Sequence, residues 1–523
     1  MLLATGSIAE HFTWVDWAVV FGYLIFTTLL GGALAGKQAT IRDFFLGGRK
    51  LPWYAVSGSI IATEISAVTF VGVPAIVFGA GGNFTYLQLG LFGSILARII
   101  IGYIFVPAYY RREIYSPYDY MANELGNRVR TVTTCLFTLG SMLAQGARVY
   151  LTALITDLII GQPLFGTLAE YTGTDTMTWS IFLIGFVAVV WTLMGGITTV
   201  IWTDVILFLV FFFGAFTALG FVIARLPGDM WESIRYMFAV GYEAKDGGIW
   251  GKFTFFDWDI SPTKQFTMWT AAIASTWAGL GSYGTDQLMT QRMFCCKGSR
   301  QARIAIISSS AGQIITTTML FVGVGLYAFY CTWPLTGETA ELVNRKIDRI
   351  FPIFIIQELP WGITGLLIAA IFAAAISSLD SILAALSQTT MTAFYLPWRN
   401  RYRSRHHDNA VNPDLEDKKV VFISRIFVVF WALVLCFMAH VADAASGKFP
   451  EILNLALSMA GYTVGALLAG FMLAFFRLNI DDRGFVWSAP LSVFVVFAIV
   501  WHDPWAHIVC WAGSSASSRS PSS

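Results

Sequence analysis

Three serines and an alanine recur at helical spacing within Ala373–Ser381 (AAAISSLDS). On an α-helix, steps of three and four residues bring the Ala374 carbonyl and the hydroxyls of Ser377, Ser378 and Ser381 toward one region of the surface. A hard monovalent cation binds several oxygens of this kind. The same spacing also suits a face of small residues against which another helix packs. Spacing alone leaves both interpretations open.

A second stretch, Gly58–Gly79 (GSIIATEISAVTFVGVPAIVFG), is long enough to cross a membrane but contains residues that interrupt a helix. Gly72 and Pro74 follow a polar cluster that includes Thr63 and Glu64. Irregular backbone is tolerated at membrane depth where it lines a cavity or is buried in protein, and its free carbonyls can coordinate a cation. The pattern therefore predicts a helix that unwinds, although glycine and proline also serve packing in membrane helices.

Several ionisable side chains lie inside the apolar stretches. Each costs several kcal/mol in hydrocarbon unless it faces a cavity or a partner. One interpretation is that these residues pair with one another and hold helices together, which suits Arg98 and Asp157. The polar neighbours of Glu64, Asp204 and Asp380 favour a functional role. The full set is Glu64, Arg98, Arg148, Asp157, Asp204, Asp286 and Asp380.

The composition is that of a membrane protein. Of 523 residues, 56% are hydrophobic and 12% are charged, against roughly 25% charged in an ordinary soluble domain. The net charge of +1 gives the chain no basic character that would suit nucleic acid. The six cysteines form no Cys-x-x-Cys pair, and the six histidines show no metal-binding spacing. We therefore predict a polytopic membrane protein that is not an enzyme.

The fold predicted from the apolar pattern is all-α. A bilayer core needs about 20 apolar residues per helix, and the chain contains about 12 such stretches, with 13 possible. We expect one transmembrane domain over residues 1–503 and a C-terminal segment, 504–523, with a disordered Ser-rich tail. The stretches lie near residues 16–36, 53–80, 84–109, 129–161, 178–196, 200–224, 266–286, 302–330, 359–395, 421–442, 449–476 and 485–501.

Basic residues predict the orientation. The loop after the first stretch carries Lys37, Arg42, Arg49 and Lys50, whereas no Lys or Arg precedes that stretch. Because cytoplasmic loops are enriched in Lys and Arg, the N-terminus is predicted outside, in the plasma (cytoplasmic) membrane. The outer loop 226–265 is rich in Gly, Trp and Phe, which fits either short lid helices or an ordered surface loop.

Five motifs in order resemble the solute:sodium symporter family, which includes sodium-coupled sugar, proline, pantothenate, iodide, sialic acid, monocarboxylate and multivitamin transporters. The resemblance extends from about Asp16 to Arg477. The motifs are DFFLGGRKLPWY (Asp43 to Tyr54), ATEISAVTFVGVP (Ala62 to Pro74), GGITTVIWTDVI (Gly195 to Ile206), SYGTDQLMTQR (Ser282 to Arg292) and IFAAAISSLDS (Ile371 to Ser381).

The resemblance implies a LeuT-type inverted repeat of five plus five helices with flanking helices, over about residues 53–477. Two discontinuous helices, beginning near Trp53 and Phe266, would surround a midplane site. In the family, sodium is the coupling ion and is held by backbone carbonyls and two hydroxyls. The matching positions here are Ala62, Ile65, Ala374, Ser377 and Ser378.

Some family members have a second sodium site, which here implicates Asp204 and Ser381. This chain has Asp380 where some two-sodium members place a hydroxyl, so the number of sodium ions stays open. The positions that bind sugar in other members match Thr69, Gly279, Ser282 and Gln313, which lack the expected groups.

The SAVTFVGVP sequence looks closer to carriers of monocarboxylates, vitamins and sialic acid. Arg148 or Gln88 could bind a carboxylate, although Arg148 could instead pair with Asp157 or Glu64. The candidate solute residues are Ser66, Thr69, Gln88, Arg148, Ser282 and Gln313.

The resulting expectation is a sodium-coupled symporter that imports a small organic solute by alternating access, more readily a carboxylate than glucose. A sodium/sugar symporter is the alternative of the same class. A channel would need a continuous polar stripe along its pore, and a membrane solute sensor would carry an appended signalling domain. The expected partners are the lipid bilayer and a small-molecule solute, without nucleic acid.

Overall fold

The computed structural model describes residues 12–34, 40–65, 67–111, 114–157, 161, 164–261, 264, 266–345, 347–406, 413–445, 452–476 and 482–502. Within these ranges the chain is almost entirely helical. The extended pairing there is one isolated bridge between Leu51 and Cys296. The predicted tail at 504–523 lies outside the described residues.

Ten α-helices form the first half of the chain. They are α1 (Trp14–Leu34), α2 (Ile41–Leu46), α3 (Trp53–Glu64), α4 (Ala67–Phe78), α5 (Ile95–Ile100), α6 (Val106–Tyr110), α7 (Pro117–Leu125), α8 (Asn127–Thr156), α9 (Gly166–Thr172) and α10 (Thr176–Ala224). Short 3-10 turns cover Gly47–Arg49 and Phe84–Tyr86, and π-helical turns at Leu89–Ser94 and Ile101–Phe105 flank α5.

Twelve more follow: α11 (Met230–Glu243), α12 (Thr276–Gly279), α13 (Gln287–Phe294), α14 (Ser299–Ser308), α15 (Gly312–Thr332), α16 (Gly337–Arg345), α17 (Ile350–Glu358), α18 (Ile363–Thr390), α19 (Leu396–His406), α20 (Pro413–Ala445), α21 (Ile452–Phe475) and α22 (Asp482–His502). The 3-10 turns are Lys245–Gly247, Gly251–Phe253, Ser309–Ala311 and Ile347–Arg349. The π-helical turns are Thr270–Ser275, Leu280–Thr285 and Met391–Tyr395.

Helices occupy all twelve predicted apolar stretches. In the described part of the chain, seven helices are long and apolar enough to cross a membrane, or eight if a bent pair counts as one span. That pair is α3 with residues 69–78 of α4, which meet at 52°. Helix α3 ends at Glu64, and Ile65 leaves the helical region with φ −78° and ψ 85°. The predicted unwinding of this helix is therefore confirmed.

The second predicted discontinuity takes another form. From Thr270 to Thr285 the chain stays helical, with a single α-turn between two π-helical turns. The break comes at Asp286, which is extended and whose side chain accepts a hydrogen bond from the Leu288 N–H at 2.8 Å. Helix α13 starts there in a new direction because its first turn is capped by this carboxylate.

Two predicted spans are fused into α10, with a kink at Gly196. This residue has φ +55° and ψ −162°, and a Cβ added to it would lie 2.7 Å from the Phe44 carbonyl oxygen. Glycine is required there because an L side chain would be strained in this region and would collide with α2.

Helix α18 lies at the centre of the molecule. In its membrane-length window 94% of residues are buried, against 17% for α1. Helices α1, α8, α10 and α20 pack around it. Asp16 of α1 accepts hydrogen bonds from the N–H groups of Gly362 and Gly365, at 2.8 and 2.9 Å, and so caps the start of α18.

Several segments meet at one end of the bundle, which we call the basic end because Lys and Arg residues are concentrated in α19 and in the turn after α2. It is formed by α2, residues 114–116, α13 and α19. Arg49 donates to the Ile114 carbonyl at 2.6 Å, and Tyr110 donates to the Met293 carbonyl at 2.7 Å. Arg130 of α8 donates to the Thr392 carbonyl, just before α19.

The long loop after α10 lies at the other end and contains helix α11 and two 3-10 turns, in agreement with the expectation of short helices. Asp229 and Glu232 form a reciprocal capping box at the start of α11. Lys252 is fully buried and donates to the Gly79 carbonyl at 3.0 Å. Because Gly79 directly follows α4, this bond attaches the loop to the C-terminal end of α4, the second half of the broken helix.

Candidate functional site

Asp204, on the second half of α10, connects three helices. Its Oδ2 accepts a hydrogen bond from Ser59 Oγ of α3 at 2.5 Å, and its Oδ1 accepts one from Ser377 Oγ of α18. Asp204 is fully buried. The carboxylate therefore links α3, five residues before its end, to Ser377 of α18.

Oxygen atoms on both sides of this junction are available to a cation. Because α3 ends at Glu64, no further turn of this helix supplies N–H groups to its last carbonyls, which include that of Ala62. Ala62, Ile65 and Ala374 lie in one buried apolar cluster. The predicted carbonyl ligands of α3 and α18 therefore belong to buried residues of the same apolar core.

Ser378 supplies the observation that best tests the fit of a cation. Its side chain is 3% exposed, and its Oγ has no hydrogen-bond partner among the residues that the structure describes. An unsatisfied buried hydroxyl costs about 1–3 kcal/mol. A cation bound to this oxygen would remove that cost, and carbonyl and hydroxyl oxygens suit a hard monovalent ion. In the described ranges no group of three His, Cys, Asp or Glu side chains could hold a transition metal.

A guanidinium lies at the predicted second cation position. Arg292 Nη2 donates to Asp204 Oδ2 at 3.2 Å and to Ser381 Oγ at 2.5 Å, and Nε donates to Ser59 Oγ at 2.8 Å. Both partners of the Arg292–Asp204 ion pair are buried. Two of the three residues predicted to hold a second sodium therefore already bind a positive charge in this structure.

Asp380, the third of those residues, lines a narrow crevice between α1 and α10. Its Oδ1 accepts a hydrogen bond from Ser381 Oγ at 3.1 Å. The cluster thus places two buried carboxyl groups beside one guanidinium, which keeps a second cation compatible with the local charge. The crevice is lined by Thr27, Thr28, Trp191, Thr199, Thr203 and Asp380.

The structure pairs Arg98 with Glu64, which confirms the structural interpretation of Arg98. The Arg98 guanidinium forms an ion pair with Glu64 and lies 4.4 Å from the centroid of the Tyr283 ring. Tyr283 also donates to Glu64 Oε1 at 2.7 Å. Glu64, for which we expected a functional role, therefore ties the break after α3 to the neighbouring helices.

Arg148, on α8, is half-buried and forms neither an ion pair nor a side-chain hydrogen bond with any described residue. The two pairings considered for it are not observed: Glu64 pairs with Arg98, and Asp157 Oδ1 is buried without a described hydrogen-bond partner. The charged group that acts most strongly on Arg148 is Asp286. The guanidinium is therefore available to an anionic ligand.

Gln88 is fully buried and has one satisfied and one unsatisfied end. Its Nε2 donates to the Phe266 carbonyl at 3.1 Å and to the Thr85 carbonyl at 3.2 Å. This pattern fixes the orientation of the amide, because both partners are acceptors. Its Oε1 has no partner among the described residues, so it could accept a hydrogen bond from a ligand.

The other candidate solute residues are dispersed. Gln313 Oε1 lies against Gly90, where an added Cβ would meet it at 2.0 Å. Thr69, in α4, and Ser282, in a π-helical turn, are half-buried. Ser66 lies outside the described residues. The structure does not define one pocket that contains this set.

Sequence analysis did not identify Ser59, Tyr283 or Arg292 as residues of the site. Arg292 ends the SYGTDQLMTQR motif, and Ser59 lies exactly one turn before Thr63 in the polar cluster, so both had a sequence signal. Tyr283 gives none, because an aromatic residue in an apolar span is ordinarily a packing residue.

Comparisons with known proteins agree with this geometry. The profile of the sodium:solute symporter family matches residues 44–491. Sodium-coupled monocarboxylate transporter 1 of Xenopus laevis is 27% identical over 532 residues, covering 100% of this chain and 75% of that protein. The sodium-dependent multivitamin transporter of Oryctolagus cuniculus is 25% identical over 479 residues, covering 90% of this chain and 67% of that protein.

Among solved structures, a Na+-coupled sialic acid symporter in a substrate-bound, outward-open state matches with a TM-score of 0.75 and 25% identity. The match covers 96% of this chain and 95% of that chain. The predicted LeuT-type, all-helical membrane fold is confirmed, and so is the expectation of a transporter, not an enzyme. The chain belongs to the sodium:solute symporter family, with sodium as its coupling ion.

Proposed function

We propose that this symporter imports a small carboxylate-bearing solute together with sodium, and that sodium binds between the break after α3 and the serine pair of α18. The observation that carries the sodium site is the buried Ser378 hydroxyl, which has no hydrogen-bond partner among the described residues, on a helix that Asp204 links to α3 shortly before α3 ends at Glu64. The five proposed ligands are the carbonyls of Ala62, Ile65 and Ala374 and the hydroxyls of Ser377 and Ser378.

Sodium bound at these oxygens would join α3 to α18 and favour the conformation in which the solute site opens outward. Separation of the two helices would dismantle the site and release sodium and solute on the other side. Asp204 supports this arrangement because it already bridges Ser59 of α3 and Ser377 of α18. The alternating-access cycle then follows from making and breaking one helix contact.

Arg148 supports the carboxylate class. A cation at membrane depth is costly without a partner, and no described carboxylate pairs with this guanidinium. A solute carboxylate could form a bidentate pair with Arg148, while Gln88 Oε1 could accept a hydrogen bond from a solute hydroxyl or N–H. The transport of monocarboxylates, vitamins and sialic acid by the relatives named above is consistent with this class.

The direction of transport rests on the charge pattern. We place the basic end in the cytoplasm and the N-terminus outside, in the plasma membrane. A potential of 100 mV contributes about 2.3 kcal/mol per sodium ion, and a tenfold sodium gradient adds about 1.4 kcal/mol. One sodium ion could then maintain a solute gradient of a few hundredfold.

The direct test is uptake by purified protein in liposomes under an inward sodium gradient. Uptake of radiolabelled monocarboxylates, amino acids and sugars would be measured, and the unlabelled compounds would then be tested as competitors of any solute that is taken up. The control replaces the sodium gradient by a potassium gradient. We expect sodium-dependent uptake that carboxylates inhibit and their neutral amides do not. Inhibition by sugars alone would favour the sodium/sugar alternative, and uptake independent of sodium would refute the proposal.

Arg148→Gln tests the role of this guanidinium. We expect the KM for the carboxylate to rise at least tenfold, because a charge-assisted bidentate pair contributes more than one ordinary hydrogen bond, with the sodium dependence retained. Arg128→Gln, at the exposed beginning of the same helix, is the matched control. Equal solute KM values in the Arg148 variant and the wild type would exclude Arg148 from the solute site.

A further inference from the structure

Two glutamines meet at the basic end, on the cytoplasmic side of the proposed sodium site. Gln287 Nε2 of α13 donates to Gln388 Oε1 of α18 at 2.9 Å. Gln388 Nε2 in turn donates to the Tyr115 carbonyl at 2.8 Å. Both glutamine side chains are 0% exposed. One buried amide thus connects α18 to α13 and to the segment before α7.

The position of this pair along α18 places it on the release route. Gln388 follows Ser378 by ten residues, which is about 15 Å along a helix. It lies toward the basic end, where residues 114–116 and α13 close over the centre of the molecule. A path from the sodium site to the cytoplasm between α13 and α18 would pass this pair, because Gln287 and Gln388 bond across the contact between those two helices.

Neighbouring contacts show which parts would move together. Gln291 donates to the Phe45 carbonyl at 2.9 Å, Tyr110 donates to the Met293 carbonyl, and Arg49 donates to the Ile114 carbonyl. These bonds join α2 with the turn after it, Tyr110 with Ile114, and α13 into one group of contacts. None of the three crosses to α18, so they can persist when α3 separates from α18.

The hydrogen bonds of Gln388, in contrast, join α18 to α13 and to the Tyr115 carbonyl. The hydrogen bond between Arg292 and Ser381 also joins α13 to α18, at a position closer to the proposed sodium site. Arg292 Nε of α13 donates to Ser59 Oγ of α3, so α13 can move with α3. Separation of α13 and α3 from α18 would leave the amide groups of Gln287 and Gln388 without each other as partners. Water must then replace them, and so the route must open to solvent at this point.

We propose that Gln388, with Gln287 and the Tyr115 carbonyl, is the cytoplasmic latch of the transport pathway. The latch keeps the basic end closed while sodium and solute bind, and its opening accompanies release. Gln388 is a positioning residue, because it touches neither ion nor solute. This inference rests on the proposed alternating-access function and on the orientation assigned above.

The test measures the distance between two spin labels at the basic end by pulsed electron paramagnetic resonance. The labels are attached at Arg300→Cys, at the start of α14, and Asn400→Cys, in α19, in full-length protein without native cysteines and reconstituted in nanodiscs. Both positions are exposed. In saturating sodium we expect a major short distance, from the closed basic end, and a minor long one.

Gln388→Leu should raise the ratio of long to short populations about tenfold, because two hydrogen bonds of about 0.5–1.5 kcal/mol are lost only in the closed state. Gln287→Leu, which breaks the same bond from α13, should shift the ratio in the same direction and keeps the test valid if the first variant folds poorly. Gln291→Leu is the matched control, since the hydrogen bond of Gln291 joins α13 to α2 and not to α18.

Unchanged distance distributions in both Gln388→Leu and Gln287→Leu would overturn the latch. So would an equal shift in Gln291→Leu, because that result indicates general loosening of α13. All variants are compared at one sodium concentration, so the latch is judged separately from the sodium site. Failure of the wild-type distribution to respond to sodium would count against the proposed function instead.

Discussion

Replacing Ser378 by alanine isolates the proposed sodium ligand from the structural contacts around it. The Ser378 hydroxyl has no hydrogen-bond partner in the described part of the chain, so the substitution removes no bond from the sodium-free protein. It also relieves the cost of a buried, unsatisfied oxygen. Protein abundance and sodium-free stability should therefore stay equal to those of the wild type or increase slightly.

The cost of the substitution should appear when sodium binds. A hydrogen bond to a charged group contributes about 1.5–3 kcal/mol, and we take this range for one oxygen ligand of a buried monovalent ion. The corresponding loss of sodium affinity is roughly 10- to 100-fold. At a sodium concentration 100 times the wild-type dissociation constant, ligand binding stabilises the wild type by about 2.7 kcal/mol. In the variant this contribution should fall to between about 1.4 and 0.4 kcal/mol.

Two measurements check this result. The first is the sodium concentration for half-maximal uptake in liposomes, and the second is the rise in melting temperature when choline is replaced by sodium. Ser387→Ala is the control, since Ser387 is equally buried on α18 and its Oγ donates to the Ser424 carbonyl at 2.7 Å. The control should lower sodium-free stability by about 1 kcal/mol and leave sodium affinity unchanged. Wild-type sodium activation in Ser378→Ala would refute the site.

Three further substitutions test contacts around the site. Asp204→Asn should destabilise the protein by about 3–5 kcal/mol, because it leaves buried Arg292 without its carboxylate; a melting temperature equal to that of the wild type would contradict the ion pair. Tyr283→Phe should cost about 1.5–3 kcal/mol through the lost bond to Glu64, and thermal unfolding of Tyr54→Phe, at an exposed tyrosine, is the comparison. Asp16→Ala should cost about 1–2 kcal/mol by uncapping α18, whereas Asp16→Asn retains an acceptor and should recover most of that loss; similar melting temperatures for the two would argue against capping.

The fold was predictable because its main determinants are local. Apolar runs of membrane length locate the spans, and the glycine, proline and polar residues around Thr63 locate the break after α3. The fusion of two spans at Gly196 was not predictable in the same way. A loop of a few residues and a one-residue kink leave nearly the same hydropathy pattern, and only the packing of α2 against Gly196 distinguishes them.

The candidate site was predictable in composition but not in its pairing. The serines of α18 and Asp204 follow from oxygen chemistry and from the family resemblance. Arg292 was not expected inside the bundle, because a charge that follows an apolar span ordinarily meets water. After the break at Asp286, however, α13 packs against α3 and α18, and all eight of its residues are buried. The packing of α13 against these two helices is a tertiary contact, which no short-range sequence pattern encodes.

The kink at Gly196 connects the two halves of α10 through a single non-helical residue, without a flexible loop between them. A change in the angle between the two halves would have to come from the φ and ψ angles of about one residue. The two halves could therefore rotate about Gly196 but could not separate from each other. The carboxylate that bridges α3 and α18 lies eight residues beyond Gly196. A small rotation at Gly196 would displace the Asp204 carboxylate relative to Ser59 and Ser377, so the geometry of the proposed sodium site would depend on the angle between the two halves of α10.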